Sequence, residues 1–185
     1  TIFVGPGTYT GADNLDLNFD GKSITVISEA GAEQTIIDCN NEDRAFTFNG
    51  GEDSTSVLDG FTIINGNRSE GGGIYCYYSS PTIKNCIIAN CQAEDGGGMY
   101  FEQSSAKLIN ITTHGNIADD GGTGWHSIES NIFMVNSIVA DGWAYEFFYG
   151  LILKKGFKEG YEGITFSMMG CMIPPLALFR YFEKY

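Results

Sequence analysis

The stretch that decides the fold runs from Gly71 to Asp120. Residues 71–95 read GGGIYCYYSSPTIKNCIIANCQAED, and residues 96–120 read GGGMYFEQSSAKLINITTHGNIADD. Gly71-Gly72-Gly73 returns as Gly96-Gly97-Gly98 and again as Gly121-Gly122, at a step of 25. A fixed repeat of this size marks a stacked architecture, because one coil cannot bury its apolar side alone. Upstream, VLDGFTIINGNRSE fits the same frame; downstream, NIFMVNSIVADG fits it with a shift of one residue. Nearer the start the frame degrades, yet TYTG, KSITVIS, QTIIDC and RAFTF still read as short β-rich runs between Gly, Asn and Asp turns.

Aligned columns separate core from surface. Leu58, Ile83 and Leu108 form one apolar column; Phe61, Cys86 and Ile111 form a second; Ile63 and Ile88 lead to Thr113 in a third. Between the first two columns Asn85 stands above Asn110, where the apolar alternation changes phase. Asparagine tolerates the left-handed conformation and so turns one strand sharply into the next. Two or three short strands per 25 residues, stacked like on like, predict an all-β parallel β-helix over residues 1–142. Five to six coils give it a length of roughly 25 to 30 Å at the strand spacing.

Composition narrows the partners. The 185 residues carry 23 acidic and 10 basic side chains, a net charge of −13. That balance argues against nucleic acid as a partner and leaves cations, basic proteins and neutral glycans. The 25 glycines do not recur every third residue, which excludes collagen. The cysteines, Cys39, Cys76, Cys86, Cys91 and Cys171, show no zinc-ligand spacing and read mainly as small core residues. The chain opens on Thr1-Ile2-Phe3-Val4 with no charged segment followed by an apolar run, so the expectation is a signal peptide either removed or never present.

The GGGIY and GGGMY motifs, together with TIKN, KLIN and FMVN, resemble the repeats of polymorphic outer-membrane autotransporters of bacteria. These belong among the right-handed parallel β-helix proteins of the pectin-lyase-like superfamily. The opening PGTYTG…GKSITVISEAGAEQTIIDC is similar to the first coils of β-helix regions in large surface proteins. The resemblance covers roughly residues 1 to 142. It implies the right hand of the coil and an extracellular or outer-surface setting. It implies no single activity, since the same fold serves lyases, hydrolases, adhesins and stalks.

Residues 143–185 are a different text. They carry 5 basic and 4 acidic side chains, against 5 and 19 in residues 1–142. Ile164 to Phe179 is uncharged but short and interrupted by Pro174-Pro175, whereas a spanning helix wants about 20 apolar residues. The expectation is a short α-helical tail. It either caps the open end of the β-helix or lies at a membrane surface, with Lys154, Lys155, Lys158 and Arg180 at its polar margin. The KKGFxxGxxG pattern of Lys154, Lys155, Gly156, Phe157, Gly160 and Gly163 resembles the tail of family-2 glycosyltransferases of lipopolysaccharide-core type. Their catalytic domain has no counterpart here.

Stacking turns sequence columns into ladders with rungs about 4.8 Å apart. Glu70, Asp95 and Asp120 are expected in one column, with Glu94 and Asp119 beside it. Carboxylates at that spacing either splay into solvent or hold a hard cation such as calcium through oxygen ligands. Tyr75, Tyr100 and Trp125 are expected in a second column, facing outward because Ile74 and Met99 face inward. Such a row either stacks on sugar rings or reinforces itself, with Tyr77 and Tyr78 extending it at one end. His126 is expected inward, with Cys76 and Phe101.

The enzymatic alternative is a polysaccharide lyase or glycoside hydrolase. His114-Gly115 and Asp119-Asp120 resemble elements of polygalacturonase-like sites, but in reversed chain order. No Lys or Arg base stands beside the acidic columns. The expected role is therefore non-catalytic: a bacterial surface or secreted region presenting a face to a polysaccharide or a surface protein. A fusion to, or remnant of, a glycosyltransferase is the second alternative.

Overall fold

The computed structural model describes residues 1–141. The chain winds as a right-handed parallel β-solenoid of about five turns. Sheet 1 stacks Ile2–Val4, Thr25–Ser28, Val57–Asp59, Thr82–Lys84, Lys107–Ile109 and Phe133–Val135. Sheet 2 stacks Gly7–Tyr9, Thr35–Asp38, Thr62–Ile64, Ile87–Ala89, Thr112–His114 and Ile138–Val139. Sheet 3 stacks Leu17–Asn18, Phe46–Phe48, Ile74–Tyr77, Met99–Glu102 and Trp125–Ile128. A short fourth ladder joins Gln92–Asp95 to Ile117–Gly121. Among the described residues the only helical turn is a 3-10 turn at Ala12–Asn14.

The register bears out the apolar columns. Thr82 pairs with Val57 below and Lys107 above, the step of 25 in each case. Leu58, Ile83, Leu108, Phe61, Cys86, Ile111, Ile63, Ile88 and Thr113 are all buried. Lower down, Val57 pairs with Thr25, so that coil is longer, which is why the frame degrades there in sequence. The aromatic core of the lower coils joins Phe19 to Phe46 and Phe48, and Phe46 to Phe61.

Corners are built from residues that accept positive φ and can hand a hydrogen bond to the next coil. Asn85, Asn110 and Asn136 have φ of 54°, 54° and 48°. Their amides form a ladder: Asn85 Nδ2 donates to Asp59, Asn110 to Asn85 at 2.8 Å, and Asn136 to Asn110 at 2.6 Å. At another corner the backbone N–H of Gly66, Cys91 and Asn116 donates to Cys91 Sγ, Asn116 Oδ1 and Asp141 Oδ1 in turn. Buried Glu52 ties three coils by accepting from the N–H of Gly21 and Gly50 and from Ser79 Oγ. Burial alone would raise its carboxyl, but these donors outweigh burial and hold it below the ordinary range.

The expected helical tail, Cys171 and the membrane-margin residues Lys154, Lys155, Lys158 and Arg180 lie outside the described residues.

The corner geometry sets one test. Asn110→Gly keeps the backbone conformation and loses the two amide bonds to Asn85 and Asn136, whereas Asn110→Ala loses them too and adds the left-handed penalty of about 1 to 2 kcal/mol. Urea titration should therefore rank wild type above glycine and glycine above alanine. Equal stability of the two variants would show that φ does not matter there.

Cys39, Cys76, Cys86 and Cys91 are free and buried. Burial pushes the thiols of Cys39, Cys86 and Cys91 up to about 12 from 9.0, and Cys76 well above its ordinary value. The folded state favours the neutral thiol. Its contribution is therefore complete below the unfolded value of 9.0 and is lost as pH rises through about 12. In a Cys171→Ser background, iodoacetamide should label no thiol in the native protein and all four in guanidinium. Chemical stability should fall on the alkaline side of pH 9.0. Native labelling of any of the four would contradict the burial described.

Candidate functional site

The outer face of sheet 3 carries a column of rings with charged side chains beside it. In Ile74–Tyr77 the strand alternation buries Ile74 and Cys76 and turns Tyr75 and Tyr77 outward. In Met99–Glu102 it buries Met99 and Phe101 and turns Tyr100 and Glu102 the same way. Tyr75 pairs with Tyr100 in register, and their rings stack at 5.7 Å with planes 12° apart. His126 continues the stack over Tyr100 at 5.6 Å and 15°. Arg44, from the coil before, closes the other end with its Cζ 4.6 Å from the Tyr75 centroid.

This column corrects two sequence expectations. Trp125 pairs with Met99 in the inward column and packs edge-on against Phe101, while His126 takes the outward place beside Tyr100. Ser127, not His126, follows Cys76 and Phe101. The cause is one extra residue in the last full coil. Ala93 still pairs with Ala118, but Asp95 pairs with Gly121. Asp120 is thereby displaced from the acidic column, although Glu70 still bridges to Asp95 as expected.

The displacement creates a new contact. His126 Nδ1 lies 3.5 Å from Asp95 Oδ1, and a side chain at Gly121 would collide with both groups. A sequence signal for this shift exists. Aligning Gly124, rather than Thr123, with Gly73 and Gly98 puts Trp125 in the column of Ile74 and Met99, and Met99 N–H does donate to Gly124 O.

A third correction concerns exposure. Tyr100 is only 4% exposed, because Tyr75 covers one face of its ring and His126 the other. Its hydroxyl donates to Glu102 Oε2 at 3.3 Å. Burial, then Glu102 and Glu70, raise its phenol far above the usual range. The ring faces of the ladder are thus occupied by one another.

Charge around the ladder is unevenly matched. Asp43 Oδ1 holds Arg68 Nε at 2.9 Å and accepts the Arg44 backbone N–H, while the Arg44 Nε stands 4.0 Å away. Burial lowers the Arg44 guanidinium, opposed by Asp16 and aided by Arg68. Glu94, Asp119 and Asp120 are exposed, and Glu70 and Asp95 half-buried. Among the described residues no group of three or more His, Cys, Asp or Glu side chains is gathered to hold a metal ion.

Open aromatic surface lies beside the ladder. Tyr77 and Tyr78 are 36% and 56% exposed, with ring centroids 4.5 Å apart and planes at 86°. Tyr77 also stacks on Tyr75 at 6.3 Å. Tyr78 has φ of 48° at the corner shared with Gln103 and Glu129. The exposed amides of Asn18 and Asn49 hydrogen-bond to each other on the lower coils of the same sheet.

Parallel stacking, left-handed corners and one outer face bearing rings define a β-helix repeat protein. Residues 8–139 match the family model described as "Right handed beta helix region", and the chain belongs to that family. No curated protein and no solved structure matched the chain.

The ladder geometry predicts a stability role for Tyr100. Tyr100→Ala removes a buried ring that touches rings on both sides, and should cost about 3 to 5 kcal/mol in guanidinium unfolding. Tyr77→Ala, at an exposed position, should cost less than about 1 kcal/mol. Comparable losses in the two variants would contradict the stacked arrangement.

Proposed function

We propose that this β-helix is a non-catalytic recognition region of a bacterial surface or secreted protein, contacting glycan through the outer face of sheet 3. The observation that carries the reading is the open pair Tyr77 and Tyr78, adjoining the closed Tyr75–Tyr100–His126 ladder. The two halves have different uses. Stacked rings fix the surface, and exposed rings offer faces to sugar. The Asn49 amide, whose Oδ1 accepts from Asn18, and the Gln103 amide, whose Nε2 donates to Glu129, have further hydrogen-bonding capacity alongside. Trp125, facing inward, is not part of that surface.

A polysaccharide-cleaving reading has one observation behind it, the contact of His126 with Asp95. A carboxylate on Nδ1 can orient an imidazole as a general base. Accumulation of unsaturated uronide product, followed by ultraviolet absorbance, would favour it.

The deciding experiment is binding of the full chain to a polysaccharide panel, in calcium and then in chelator. Tyr77→Ala/Tyr78→Ala should lower affinity by at least about tenfold, as loss of central aromatic contacts does. Its melting temperature should stay near that of wild type. Dependence on calcium would bring Glu70 and Asp95 into the site. Binding unaffected by the double substitution would reject this face as the recognition surface.

A further inference from the structure

We infer that the corner formed by Tyr77 and Tyr78 takes an organic ammonium group carried by a glycan, with Glu102 as its counter-charge. The inference rests on the recognition reading above and names the chemistry it would select. Tyr77 and Tyr78 pack edge to face at 86° with ring centroids 4.5 Å apart, and their exposed side offers ring surface from both to a rounded cation set against the corner. Glu102 pairs in register with Tyr77, and the Tyr78 N–H donates to the Glu102 carbonyl, which places this acid at the base of the corner.

The surroundings favour positive charge. Residues 1–142 carry 19 acidic and 5 basic side chains. Glu129 shares the corner column of Tyr78, and its carboxylate accepts from Gln103. The same ring cluster already holds a cation. Arg44 lies over Tyr75, and among the described residues it is the only cation placed over a ring. Tyr77 and Tyr78 therefore offer the same electrostatic attraction on faces that no cation of the described residues is placed over. An anionic sugar at this corner would instead meet Glu102 without a neutralising base.

The test uses the full chain and matched pairs of probes. Choline is compared with 3,3-dimethylbutan-1-ol, its neutral isostere, by ligand-observed NMR. A glucosamine tetramer is compared with its N-acetylated form, and oligolysine serves as the protein-type source of ammonium groups. Choline and the glucosamine tetramer should each bind at least about fivefold more tightly than their neutral counterparts. Tyr77→Ala and Tyr78→Ala should each weaken binding about two- to fivefold, and the Phe variants should restore it. Glu102→Gln should reduce the preference for the charged probe.

Equal affinity for charged and neutral probes overturns the inference, as does choline binding that survives Tyr77→Ala/Tyr78→Ala. Oligolysine bound more tightly than the glucosamine tetramer overturns the glycan as carrier. If neutral glycans bind through the two rings but choline does not, the recognition reading stands and the ammonium inference falls. Choline binding with no glycan binding overturns both the recognition reading and the glycan as carrier.

Discussion

Everything in this molecule depends on the hydrogen-bonded register between successive coils. Parallel pairing fixes which residue lies over which, so each residue type is repeated or replaced as part of a column. Leu58, Ile83 and Leu108 are buried together because Val57, Thr82 and Lys107 pair in series. The corners obey the same rule. An asparagine that tolerates positive φ also finds an amide above and below it at hydrogen-bond distance. Stability and surface pattern are thus set by one constraint, and a column cannot change without its neighbours feeling it.

That constraint explains how a single residue reassigns a face. The coil ending at Trp125 holds one residue more than the coil below, and the surplus falls after Ala118. Beyond it the strand re-enters register with Trp125 inward and His126 outward. The inward place remains filled by a large ring, packed against Phe101, so the core is preserved. The outward place receives an imidazole, which stacks on Tyr100 as a tyrosine would and adds a contact to Asp95. Because alternation has period 2, the slip exchanges the two roles without disturbing the stack.

What the sequence made legible follows the same logic. The apolar columns, the left-handed Asn85 and Asn110, and the buried thiols could be read because each needs only periodicity and residue type. Trp125 could not be placed, since Gly121-Gly122-Thr123-Gly124 can be set against Gly96-Gly97-Gly98 at a step of 25 or of 26, and either step puts a ring, Trp125 or His126, over Tyr100. Tyr100 was correctly turned outward, but alternation says nothing about whether its neighbours cover it. Arg44 was invisible as a partner of Tyr75 because it comes from below the regular repeat, where coil lengths differ. Long-range placement across an irregular coil requires the fold itself.

The closed ladder also determines where recognition can occur. A ring stacked on both faces contributes to order but has no face to offer a ligand, and Tyr100 is in that condition. The face becomes available only where the column ends or turns, and Tyr77 and Tyr78 lie at such a turn. The left-handed conformation at Tyr78 is unfavourable for a bulky side chain, and the same corner is served by Gln103 and Glu129 in the coils above. Among these three coils only this one carries an aromatic ring at the corner. The ladder supplies a rigid wall, and the strained corner holds the second ring perpendicular to it. Repetition builds the support, and the departure from repetition makes the site.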